Sequence, residues 1–181
     1  MKIKTKTITE CAIFTALLCI FSPISFPVGP VPITLALFAV MLAAVVLGVK
    51  KGVASVITYI LLGAIGLPVF SGAHGGVQVL LGPTGGYLWS YVLLAAIAGA
   101  FSGIKPDVRR FNFIFAFTGC VVGTAVCYIC GTLQYMVLSG KNFADLLAVC
   151  VYPFIPLDLV KAVCATLLGV SVRNAIEKNI K

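Results

Sequence analysis

The amino-acid sequence predicts an all-α integral membrane protein: a compact bundle of six transmembrane helices, with N- and C-termini cytoplasmic and a glycine-rich outer loop as lid. Composition is the first observation. Of 181 residues, 61% are hydrophobic and 10% charged, with a mean hydropathy of +1.14, whereas soluble domains are about 45–50% apolar and about 25% charged. Length is the second. A spanning helix needs about 20 apolar residues, so six use roughly 120 and leave short connections, consistent with one transmembrane domain over residues 1–181. The third is the placement of charge. Lys2, Lys4 and Lys6, Lys50 and Lys51, Lys105, Arg109 and Arg110, then Arg173, Lys178 and Lys181 occupy the termini and every second connection. The intervening connections 22–32 and 71–85 hold no cation, and 139–152 holds only Lys141. Lys and Arg collect in cytoplasmic loops, so both termini are expected inside and the number of spans even.

The elements follow in order. Helix 1 is expected from about Ile8 to Ser22, closed by Pro23, Pro27, Pro30 and Pro32, a density no helix interior tolerates. Its lysines and apolar run resemble a signal peptide, but Glu10 and the prolines fit a retained helix better. Helix 2 is expected over Ile33–Val49, with a turn at Lys50, Lys51 and Gly52. Helix 3 runs from Val53 toward Gly66 or Phe70, where Gly66 and Pro68 stop it. Helix 4 spans about Tyr87–Gly103, helix 5 about Phe113–Leu138, and the last helix about Leu157–Asn174. Gly99 with Gly103, and Gly119 with Gly123, form G-x-x-x-G pairs that let helices approach closely. Ala12 and Ala16 make a similar small-residue face on helix 1.

The net charge of +8 does not indicate nucleic acid, because that requires a solvated basic patch and these cations are scattered between apolar runs. Seven dispersed cysteines do not read as a disulfide framework. Cys127 and Cys130 form C-x-x-C without a second ligand pair, so packing is the expected role and no metal is implied.

The connection Ser71–Gly86 carries six glycines, yet interleaves Val77, Val79, Leu80 and Leu81, which favour burial. A folded lid dipping into the bundle is therefore expected, since irregular backbone is tolerated at membrane depth where it lines a cavity. It is no phosphate cradle, because G-P-T-G-G lacks the Walker lysine. His74, the only histidine, has no acidic or cysteine neighbour in sequence and is expected to be a solvated loop residue. Gln78 and Thr84 are candidate uncharged hydrogen-bonding partners.

Asp158 and Lys161 lie three apart at the start of an apolar run, after Pro153 and Pro156, and share one helix face. Ionisable groups at membrane depth are expensive and mark binding or transport sites. A salt bridge that merely closes the helix is the structural alternative. Membrane-embedded acid–base catalysis by the pair would need further polar residues at depth, and few are present, so an enzyme is not expected. A carrier or channel for another small organic acid is the main functional alternative.

Four segments in order, Val31-Pro32-Ile33-Thr34-Leu35, Gly66-Leu67-Pro68-Val69-Phe70, Leu81-Gly82-Pro83-Thr84-Gly85-Gly86-Tyr87 and Pro153-Phe154-Ile155-Pro156-x-Asp158-Leu159-x-Lys161, closely resemble BioY, the biotin-specific S component of energy-coupling factor (ECF) transporters. The resemblance spans about Thr7–Val172. It implies a multi-pass protein of the bacterial cytoplasmic membrane that captures biotin at the outer face. A transmembrane T component and two cytoplasmic ATPases would drive release inward, with ATP used only by those partners and no cofactor on this chain. The expected substrate-site residues are Asp158, Lys161, Thr84, Gly85, Gly86, Tyr87 and Gln78, and the resemblance implies that Ala12 and Ala16 meet the T component. Asp158 is expected to take a ureido N–H, and Lys161 the ureido oxygen or the carboxylate. Ala36 stands where the family usually has Gln, Ala73 where a loop Gly is common, and Leu157 where Gly usually precedes Asp158.

Overall fold

The structure, a computed structural model, describes residues 5–26, 31–103 and 109–178. Lys2, Lys4, Lys105 and Lys181, and the helix-stopping Pro27 and Pro30, lie outside these, as do the side chains of Arg109, Arg110 and Lys178. Seven α-helices are described: α1 (Thr5–Phe21), α2 (Ala36–Ala64), α3 (Val77–Leu81), α4 (Gly85–Gly103), α5 (Arg109–Ser139), α6 (Phe143–Cys150) and α7 (Ile155–Lys178). A two-stranded antiparallel ribbon, β1 (Ser25–Phe26) with β2 (Ile33–Thr34), joins α1 to α2.

The expectation of six separate spanning helices is met only in part among the described residues. Four helices are long and apolar enough to cross a membrane by length and composition: α2, α4, and the described stretches Phe113–Ser139 and Ile155–Ile176. Two features account for the difference. Helix α1 has only 17 residues and carries Lys6 and Glu10. The expected helices 2 and 3 form one continuous run, α2, broken inside at Gly48, where φ is 74° and ψ −174°. Positive φ is the conformation glycine adopts at least cost. In a straight helix, residues 44 and 52 would be about 12 Å apart. Here a Cβ placed on Gly52 would lie 3.2 Å from the Ala44 Cα. The two limbs of α2 thus fold back on each other, with Lys50 and Lys51 just past the bend.

Polar and apolar contacts then fasten the elements. Helix α1 docks on the second limb of α2 through the Glu10–Lys51 ion pair and through Thr15 Oγ1, which donates to the Ser55 carbonyl at 3.1 Å. Ser22 and Tyr59 hydroxyls meet at 2.5 Å near the other end. Helix α4 crosses the α2 bend at Gly99, whose added Cβ would lie 2.7 Å from the Val49 nitrogen. Gly119 and Gly123 of α5 receive Phe101 and Leu94 of α4, so three of the four paired glycines pack helix on helix, while Gly103 faces open space. Arg173 of α7 donates to the carbonyls of Ser102 (2.7 Å) and Val45 (3.4 Å). It thereby satisfies acceptors near the C-terminal ends of α4 and of the first α2 limb, which have no partner within their own helices. Lys51, Arg173 and the α2 bend gather at one end of the bundle. The core between is closed by side chains such as Tyr59, Phe70, Met41 and Leu94, all fully buried.

Candidate functional site

At the end opposite Arg173 the bundle encloses a cavity of about 650 Å³, inside the size range of small-molecule sites. Each wall has a local cause. Helix α7 starts at Ile155, with Pro156 in the first turn, where its missing N–H costs nothing. That start places Asp158 in the same turn, where a carboxylate is favoured by the helix dipole. Lys161 follows one turn on, and the two side chains bridge at 2.8 Å with only 8% and 12% of their surfaces exposed. Tyr128 of α5 donates its hydroxyl to the other Asp158 oxygen at 2.6 Å, and Lys161 also donates to the Thr34 carbonyl at 2.8 Å. A buried charge needs this degree of satisfaction. The ion pair of the structural alternative is therefore present, and it lines the cavity.

A carboxylate offers about four lone-pair sites and an ammonium three donors. Tyr128 and Lys161 occupy two of the acceptor sites on Asp158, while Asp158 and Thr34 use two of the donors on Lys161. Among the described residues, one donor and about two acceptor sites are left without a partner. The other walls are mostly apolar or aromatic, with Tyr87 and Tyr91 of α4, Phe70, Leu88 and Phe154 prominent.

The glycine-rich connection is folded, and part of it lines the cavity. Ser71, Gly72, His74, Val79 and Thr84 face the space, while Leu80 is buried. Gln134 of α5 pins the segment by donating to the carbonyls of Leu80 (3.1 Å) and Gly82 (2.8 Å).

Among the candidate residues, the fold brings Asp158, Lys161, Thr84 and Tyr87 to the cavity. Gly85, Gly86 and Gln78 are not on its wall. Gly85 and Gly86 instead allow close approach: a Cβ on Gly85 would lie 1.8 Å from the Leu80 carbonyl oxygen, and one on Gly86 2.7 Å from that of Cys130. Gln78 is exposed and donates to the Gly75 carbonyl at 2.9 Å. His74 is exposed as expected, yet also lines the cavity rim. Ala12 and Ala16 lie on the exposed face of α1 and are not part of the cavity wall.

Sequence reasoning missed Tyr128, Tyr91, Cys127 and the Thr34 carbonyl. Tyr91 follows Tyr87 by four residues, a spacing that shares a helix face and was a usable signal. Tyr128 had none, because its partner lies 30 residues away.

A model of the BioY family matches residues 1–178. The chain belongs to the BioY family. It is similar to "Biotin transporter BioY" of Thermotoga maritima, 39% identical over 171 residues, covering 93% of this chain and 96% of that protein. It is equally similar to "Probable biotin transporter BioY" of Pyrococcus horikoshii, at 39% over 166 residues, covering 92% and 95%. The fold superposes on the crystal structure of the S-component for biotin from an ECF-type ABC transporter with a TM-score of 0.81 at 30% identity, covering 96% of this chain and 95% of that one. The BioY resemblance read from four short segments thus holds over nearly the whole chain.

Proposed function

We propose that this protein binds biotin and serves its uptake across the bacterial cytoplasmic membrane as the S component of an ECF transporter. Membership of the BioY family, the biotin transporters among its relatives and the likeness to a biotin S-component support this reading. The observation that carries the binding mode is the unfilled hydrogen-bonding capacity of the Asp158–Lys161 pair. A ureido ring presents two N–H donors and one carbonyl acceptor, which is the complement of two free acceptor sites and one free donor. The apolar thioether ring and aliphatic chain then lie against Tyr87, Tyr91 and Phe70, which fits a mostly hydrophobic pocket oriented by few polar groups.

The chain is read as crossing the membrane six times, through α1, both limbs of α2, α4, α5 and α7, as a single transmembrane domain. With Lys51 and Arg173 at the cytoplasmic end, as positive-inside placement favours, the cavity opens outward. The segment from Ser71 to Gly86 acts as its lid. A T component and two ATPases supply the energy for release, and they meet α1 at Ala12 and Ala16. The test is labelled-biotin binding to protein purified in mild detergent. Wild type is expected to retain biotin, and Asp158→Asn and Lys161→Ala to lose at least about tenfold in affinity, the scale of one hydrogen bond to a charged group. Wild-type affinity in both variants would refute the assignment.

A further inference from the structure

Charge balance in the cavity leaves one end of a carboxylate ligand unaccounted for. Asp158 and Lys161 are the only fully charged residues on the described wall, and they cancel each other. A bound carboxylate adds a negative charge, and an unpaired charge taken out of water is costly. One other lining residue can carry positive charge, His74.

The backbone that presents His74 is unusual. Gly72 (φ 67°) and Ala73 (φ 59°) are left-handed in succession, and among the described residues Ala73 is the sole non-glycine at positive φ. Such strain persists where surrounding structure over-determines it, commonly at ligand sites. Here two bonds hold it: the Phe70 N–H donates to the His74 carbonyl at 2.9 Å, and the Ala73 N–H to the Phe70 carbonyl at 3.0 Å. Phe70 itself is fully buried, with its ring edge-to-face on Tyr59 at 5.6 Å, so the turn is anchored in the core. The His74 Nδ1 lies 2.9 Å from the Ser71 carbonyl. A carbonyl only accepts, so Nδ1 carries its hydrogen toward Ser71 and Nε2 is left for a ligand.

Resting on the biotin reading above, we infer that His74 is a specificity-determining residue: its Nε2, which takes up a proton as the ligand binds, donates to the ligand carboxylate at the cavity rim, while Asp158 and Lys161 hold the ureido ring. Lys161 then belongs to the ring end and not to the carboxylate. The site selects a monocarboxylate with a neutral hydrogen-bonding head, and an amide of the same shape binds more weakly.

Binding of biotin and of biotinamide, its neutral carboxamide, to the purified full chain tests this. Wild type is expected to prefer the acid. His74→Ala and His74→Gln, both at an exposed position, are expected to weaken biotin about tenfold while biotinamide stays within about twofold, the pattern of one lost charge-assisted hydrogen bond. Equal losses for acid and amide, or unchanged biotin affinity in both variants, overturn the role of His74 and leave the biotin reading standing. Wild type that binds neither compound overturns both.

Discussion

At the scale of single residues, the site rests on a charge pair whose members depend on each other. Lys161→Ala leaves Asp158 with Tyr128 as its remaining donor among the bonds described, in a wall where it is only 7% exposed. Removing one member of a buried pair costs about 3–5 kcal/mol, whereas replacing both is far milder. The double variant Asp158→Asn/Lys161→Ala is therefore expected to melt higher than Lys161→Ala alone, by thermal unfolding in detergent, while binding no biotin. A double variant that melts lower than the single would show that the two side chains are not energetically coupled. The pair itself was legible in the sequence, because ionic side chains three residues apart in an apolar helix have few innocent explanations. Tyr128 and the Thr34 carbonyl were not, since both reach the pair from distant segments. A carbonyl, moreover, carries no sequence signature.

At the scale of elements, the glycine-rich connection shows two of the candidate residues, Gly85 and Gly86, packed against neighbouring backbone and off the cavity wall. Gly85 and Gly86 matter because α4 begins where the Leu80 carbonyl, Gln134 and the α5 backbone leave no room for a Cβ. Gly85→Ala must displace backbone rather than a flexible side-chain tip. Overpacking of this kind costs about 1–3 kcal/mol, so a lower melting temperature and weaker biotin binding are expected together, with the loss of binding indirect. A Gly85→Ala protein with wild-type melting and selectively lost binding would instead point to ligand contact. Helix α6 escaped the sequence reading, although Asn142 at its N-cap and Asp145 in the first turn are start signals. Its eight residues are too short for periodicity to outweigh the reading of 139–152 as a connection. The bend of α2 was anticipated as a turn near Lys50 and Lys51. That the limbs remain one run broken only at Gly48 depends on a single backbone conformation.

At the scale of the whole molecule, the cavity and the gathered cations Lys51 and Arg173 lie at opposite ends of the bundle. Ala12 and Ala16 sit on the exposed face of α1 beside the exposed Ile8, Ile13 and Ile20, and none of these residues lines the cavity. Ala12→Leu with Ala16→Leu is accordingly expected to leave biotin affinity unchanged and to lower uptake in cells carrying the T component and ATPases, with copurification of the T component reduced in parallel. Loss of binding in that variant would place the face in the receptor and not in the coupling interface.

The sequence by itself determined the membrane class, the order of the long helices, the charged pair and the family, because each is written in local composition, spacing or contiguous words. Only the tertiary structure decided which of the candidate residues share a wall, that Gly85 and Gly86 pack while Tyr91 and Tyr128 line, and that His74 stands at the rim. The physical reason is that a cavity is made by what neighbouring elements leave unfilled. That remainder is set by contacts between residues 30 to 127 positions apart, such as Tyr128 with Asp158 and Lys161 with Thr34, and no local pattern encodes them.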